Sequence, residues 1–129
     1  FIYTTGVPPS QAAALLAALE VVGAEPDRRA LLAAVSGRVR EVLAGLGWQL
    51  PPAAFATPIV PLIVGEAAKA LRLAEHLRAA EILAVAIRPP TVPAGTARVR
   101  LSLRADMTDA DVEQLLDAIA AAGPPNGSL

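Results

Sequence analysis

Between Arg98 and Arg104 polar and apolar residues alternate without a break: Arg98, Arg100, Ser102 and Arg104 on one parity, Val99, Leu101 and Leu103 on the other. A period of two predicts a strand with one face on a core. Two shorter strands are expected upstream. Ile59–Val64 is a β-branched run that Gly65 ends, with Pro61 favouring a sheet edge, and Ile82–Ile87 is a second apolar run before a proline loop. Helical spacing governs four other segments. From Pro9 or Ser10, Ala14, Leu15, Ala18, Leu19 and Val22 recur until Gly23. After Glu25-Pro26-Asp27, a suitable first turn, Leu31, Leu32, Val35, Val39, Val42, Leu43 and Leu46 form a broad apolar face that Gly45 and Gly47 close. Glu66–Ala80 turns Ala70, Leu73, Ala74 and Leu77 inward. Thr108-Asp109-Ala110-Asp111 reads as a capping box with Asp in place of Glu, followed by Val112, Leu115, Leu116 and Ile119. Phe1–Gly6 is expected to be extended, and Gly123-Pro124-Pro125-Asn126-Gly127 a frayed tail.

The order helix, helix, strand, helix, strand, strand, helix predicts an α+β layer: a short, mostly antiparallel sheet covered by helices on one face. A hydrophobic fraction of 54% in 129 residues suffices for one packed domain. Much of it is alanine, so the buried area must come from Leu, Val and Ile. Eleven basic and 12 acidic residues give a net charge of −1, which gives no reason to expect nucleic acid or an anionic membrane. Charged residues or prolines interrupt every apolar run before it could span a bilayer. Cysteine is absent, which excludes disulfides and thiolate metal sites and is compatible with the reducing cytoplasm. The chain opens on Phe1 and its single methionine is Met107. It is therefore expected to be a piece of a longer protein.

The candidate chemistry lies in Arg88-Pro89-Pro90-Thr91-Val92-Pro93-Ala94-Gly95-Thr96 and the arginine-bearing strand after it. Prolines restrict the loop and a strand fixes its side chains, so guanidinium groups are presented rigidly, as bidentate recognition of a carboxylate requires. A strand arginine taken alone more often faces solvent. Thr4 and Thr5 precede a helix start, where hydroxyls and amides can hold a phosphate, although capping an extended segment explains them equally well. His76 is expected to be solvent-exposed, with no metal constellation around it. Trp48 and Phe55 are expected to anchor the Pro51-Pro52 loop to the core. The helix dipole and cap account for Asp106, Asp109 and Asp111.

Three motifs carry a resemblance: Phe1-Ile2-Tyr3-Thr4-Thr5 followed by Pro8-Pro9; Ile59-Val60-Pro61-Leu62-Ile63-Val64-Gly65; and Ala86-Ile87-Arg88-Pro89-Pro90-Thr91-Val92-Pro93-Ala94-Gly95-Thr96-Ala97-Arg98-Val99-Arg100-Leu101-Ser102-Leu103. In this order they resemble the C-terminal third of the 8-amino-7-oxononanoate synthases, a family of α-oxoamine synthases with the aspartate aminotransferase fold. The third motif is the most specific. The 2-amino-3-ketobutyrate ligases lack its Arg-Pro-Pro-Thr run, and the 5-aminolevulinate synthases share only its Thr-Val-Pro part.

The resemblance implies a pyridoxal 5'-phosphate enzyme that condenses L-alanine with a pimeloyl thioester, releasing carbon dioxide, in the biotin pathway. It implies a cytoplasmic homodimer with shared active sites. Arg100 falls where the family grips the amino acid carboxylate, and Arg88 and Thr91 fall on the acyl side. Thr4, with Thr5 beside it, falls where the family reaches the cofactor phosphate of the neighbouring subunit. Arg98 has no such role and is expected to be structural or solvent-facing. The family's cofactor-binding lysine lies upstream of Phe1, and Lys69 matches no cofactor motif, so the piece alone is expected to be inactive. Residues 1–23 would be the tail of a large cofactor-binding domain, 24–123 a small α+β domain, and 124–129 a flexible tail. A glycine C-acetyltransferase or 5-aminolevulinate synthase type, or a noncatalytic packing or dimerisation fragment, is the alternative.

Overall fold

The computed structural model describes residues 6–51 and 57–124. Phe1–Thr5, Phe55 and the tail from Pro125 onward, on which expectations above fall, lie outside the described residues.

The elements are α1 (Pro9–Ala24), α2 (Asp27–Gly45), β1 (Ile59–Gly65), α3 (Ala67–Ala79), β2 (Val85–Ile87), β3 (Ala97–Ser102) and α4 (Asp109–Ala122). The alternating segment became β3, the central strand of a sheet ordered β1-β3-β2 in which both pairings are antiparallel. Pro61 lies on an edge strand, where a residue without an N–H is tolerated. Register sets Val60 opposite Leu101 and Leu62 opposite Val99. These four side chains are buried and point to one face.

That face is covered by α2, α3 and α4. Leu73 and Leu77 of α3, Val39 and Leu43 of α2, and Val112 and Ile119 of α4 are almost fully buried over it. The expected capping box is present: the Thr108 hydroxyl accepts from the Asp111 amide, and the Asp111 carboxylate accepts from the Thr108 amide at 2.7 Å. Arg38 joins α2 to α4 through ion pairs with Asp109 and Glu113. Ser36, buried on α2, donates to the Thr57 carbonyl at 2.7 Å, and Arg40 donates to the Ile59 carbonyl at 2.8 Å, which ties α2 to the entrance of β1.

Two segments differ from expectation. β2 begins at Val85 rather than Ile82, because the backbone before it closes α3. The Ile82 amide donates to the Leu77 carbonyl and the Glu81 amide to the Arg78 carbonyl, with Glu81 in the left-handed region at φ 63°. This is a Schellman closure, and an amide committed to it cannot join a strand ladder. In α2 the apolar stripe is buried only in part, since Leu31 and Val42 remain exposed. Helix α1 forms where expected, yet none of its residues is buried, and the Arg29 side chain of α2 donates to its Val22 carbonyl at 2.7 Å.

Candidate functional site

Three residues singled out from sequence meet at one place. The short strand β2 runs antiparallel to β3, pairing Val85 with Arg100, Ala86 with Val99 and Ile87 with Arg98. The chain then leaves β2 at Arg88 and turns back at once, with the Thr91 amide donating to the Arg88 carbonyl at 3.1 Å. A second turn follows, in which the Thr96 hydroxyl and amide both donate to the Pro93 carbonyl and Gly95 takes a left-handed φ of 76°. The folded-back loop and the sheet enclose a cleft of about 430 Å³ lined by Val85–Thr91 and Arg100. Arg88, Thr91 and Arg100 thus share one cavity although 12 positions separate the two arginines (100 − 88).

Placement in the cleft distinguishes these two arginines: Arg72 and Arg78 of α3 also have no side-chain partner among the described residues but do not line it. Arg98, two residues before Arg100, is half-buried and its Nε donates to the Thr96 carbonyl at 3.0 Å. It does not line the cleft, in keeping with the structural role expected for it. Elsewhere Arg28 pairs with Glu25, Arg38 with Asp109 and Glu113, and Arg104 with Asp106, while Arg29 and Arg40 donate to carbonyls. Among the described residues Arg88 and Arg100 have no acid or side-chain hydrogen-bond partner, and both are exposed in the cleft. Two uncompensated guanidinium groups in one concave site suit an anionic ligand, and their planar forks suit carboxylates.

The remaining candidates fall elsewhere. Thr4 and Thr5 lie outside the described residues. Lys69 is on α3, 3.7 Å from Glu66, and does not line the cleft. Among the described residues, therefore, nothing fits the aldehyde or phosphate of pyridoxal phosphate, and no chemical step through that cofactor can be built on them. His76 is exposed, as expected, but its Nε2 also meets the Ala118 carbonyl at 2.9 Å, which joins α3 to α4. Trp48 is buried and anchors the end of α2 in the core. No cluster among the described residues could hold a metal ion, and no helix is long and apolar enough to cross a membrane. A second cleft, of about 310 Å³, lies between the end of α3, the end of β3 and α4. Three of its polar residues are committed within the protein: Gln114 donates to the Ala80 carbonyl, Arg104 pairs with Asp106 and Asp111 closes the cap. Sequence reasoning missed Val85 as a lining residue. Its only available signal was the alternation, which fixes a side chain's face but not its partner across the sheet.

The arrangement of this small antiparallel sheet and its helices recurs in known enzymes. Serine palmitoyltransferase of Sphingomonas wittichii superposes with a TM-score of 0.83 at 31% identity, over 93% of this chain and 30% of that one. The 8-amino-7-oxononanoate synthase of Francisella tularensis does so with a TM-score of 0.77 at 28% identity, over 92% of this chain and 34% of that one. The fold is thus the aspartate aminotransferase-like α+β architecture expected from the sequence. The profile of aminotransferase class I and II matches residues 1–119, and the chain belongs to that family. Within it, the resemblance to 8-amino-7-oxononanoate synthases holds: the enzyme of that name from Methylobacterium radiotolerans is 51% identical over 121 residues, which cover 94% of this chain and 30% of the relative. The chain spans about a third of the length of the curated relatives it matches.

Proposed function

We propose that the protein carrying this chain condenses L-alanine with a pimeloyl thioester, forming a carbon–carbon bond with loss of carbon dioxide and release of the free thiol to give 8-amino-7-oxononanoate for biotin synthesis. The observation that carries this reading is the pair of arginines in one cleft that have no side-chain partner among the described residues. Arg100, on the rigid central strand, binds the carboxylate of alanine in a bidentate manner. Arg88 and Thr91, on the proline loop, meet the acyl partner, whose far end is itself a carboxylate. Pyridoxal phosphate supplies the electron sink for the amino acid's α-carbon; its covalent lysine and most of its contacts belong to sequence outside this chain, and the 129 residues alone are inactive.

The same reading makes the enzyme a homodimer in which Thr4, with Thr5, approaches the partner's cofactor phosphate. It assigns residues 1–23 to the cofactor-binding domain. The apolar surface of α1, with Leu15, Leu16, Leu19 and Val22 exposed and none of its residues buried, supports that assignment.

The test is a substrate panel on the complete protein: alanine, glycine and serine, each against pimeloyl, acetyl, succinyl and palmitoyl thioesters. The expected result is a preference for alanine with pimeloyl thioester. Preference for glycine with an acetyl or succinyl donor, or for serine with palmitoyl, would place the protein in another branch of the α-oxoamine synthases.

A further inference from the structure

Arg100 must hold its guanidinium in a defined place to act as an anchor, yet no hydrogen bond or ion pair with a described residue holds it. The sheet offers another means. In the antiparallel register Arg100 is opposite Pro61 of β1 on one side and Val85 of β2 on the other. Directly opposed side chains on one sheet face stand about 4.5–5.5 Å apart at Cβ. The methylene stem of Arg100 therefore runs between the Pro61 ring and the Val85 isopropyl group. Both flanking residues are stiff, Pro61 through its ring and Val85 through its branched Cβ. Val85 also lines the cleft, is 47% exposed, and makes no contribution to the core on the opposite face. An apolar β-branched residue half open to solvent gains little there from burial.

We infer that Pro61 and Val85 are positioning residues for the carboxylate anchor: they clamp the stem of Arg100 and so fix its fork without consuming any of its donors. A polar clamp would compete with the ligand for those N–H groups. An apolar one leaves all five free. The inference rests on the proposed role of Arg100 and adds to it the reason that an arginine with no partner among the described residues can be preorganised.

A double-mutant cycle in the complete protein tests it, read as the apparent KM for alanine and as the alanine dissociation constant from titration calorimetry. Val85→Ala should raise both about two- to fivefold, the size of one cross-strand pair, with the KM for the thioester unchanged. Val85→Thr, which keeps the branched shape, should restore them. In an Arg100→Ala background Val85→Ala should add nothing, because the residue it positions is gone. Equal effects of Val85→Ala in both backgrounds, or an equal rise in the KM of both substrates, would overturn the clamp while leaving the anchor role of Arg100 intact. Unchanged alanine binding in Arg100→Ala itself would overturn the anchor role and the clamp with it.

Discussion

The two clefts of this molecule are similar in size, about 430 and 310 Å³, and both present arginine beside apolar residues. They differ in what their polar groups already do. In the smaller, Arg104, Asp111 and Gln114 each have a partner within the protein, so a ligand would have to break a bond to make one. In the larger, Arg88 and Arg100 have none among the described residues. Charge that has no protein partner in a concave site is available for recognition, whereas charge neutralised by a neighbour mostly serves the fold. The same contrast separates Arg98 from Arg100 on a single strand.

The largest effect should therefore follow from removing an unpaired fork. In the complete protein, Arg100→Ala is expected to lower kcat/KM for alanine about 10- to 150-fold, the range for a hydrogen-bonded charge. Arg100→Lys should recover only part of this, since an ammonium cannot pair in a bidentate manner. Arg104→Ala, made in parallel, should leave kcat/KM within about twofold, because a surface pair of this kind contributes about 0–1 kcal/mol to stability and nothing to recognition. Equal losses in the two variants would erase the distinction between the clefts.

Arg88→Ala should come next. It is expected to lower kcat/KM for the pimeloyl thioester about 5- to 30-fold while leaving that for a shorter acyl thioester without a terminal carboxylate nearly unchanged. Loss of both to the same degree would assign Arg88 to the loop's conformation rather than to the acyl end.

Much of this was legible in the sequence because it depends on local pattern. Alternation from Arg98 to Arg104 fixed the core face of β3, and Thr108 with Asp111 marked the start of α4. The proline loop marked the candidate site through a motif match rather than through spacing alone. What remained hidden is long-range. Register across β1, β3 and β2, which seats Arg100 between Pro61 and Val85, follows from pairing between segments far apart in the chain for β1 with β3 and across the proline loop for β2 with β3. The late start of β2 was hidden for a different reason: Ile82-Leu83-Ala84 has strand composition, but the closure of α3 claims the Ile82 amide.

That closure gives a smaller effect at the rim of the second cleft. Glu81 adopts φ 63° without being glycine, a conformation unfavourable by about 1–2 kcal/mol for an L residue. Glycine removes that strain but loses more backbone entropy on folding, by about 0.5–1 kcal/mol. Glu81→Gly is therefore expected to stabilise the protein by about 0.5–1 kcal/mol, seen as a higher urea midpoint at unchanged slope. Catalysis should be unaffected, since the second cleft takes no part in it.

The smallest effect is confined to acid pH and concerns the other carboxylate of that cleft. Hydrogen bonds from the Thr108 amide and hydroxyl hold the Asp111 carboxyl below its ordinary value of 3.8. A group whose pKa is lower in the folded state favours folding once it is ionised, so its contribution is complete above the unfolded value and disappears as pH falls through the folded one. Stability should accordingly decline below about pH 4, and Asp111→Asn, which removes the titrating group, should flatten that part of the curve. Asp111 lines the other cleft and not that of Arg88 and Arg100, so alanine binding should not share the decline that belongs to Asp111. An alanine dissociation constant that rose between pH 5 and 4 in the parent and not in Asp111→Asn would join the two clefts energetically, and their division into one for ligand and one for the fold would no longer hold.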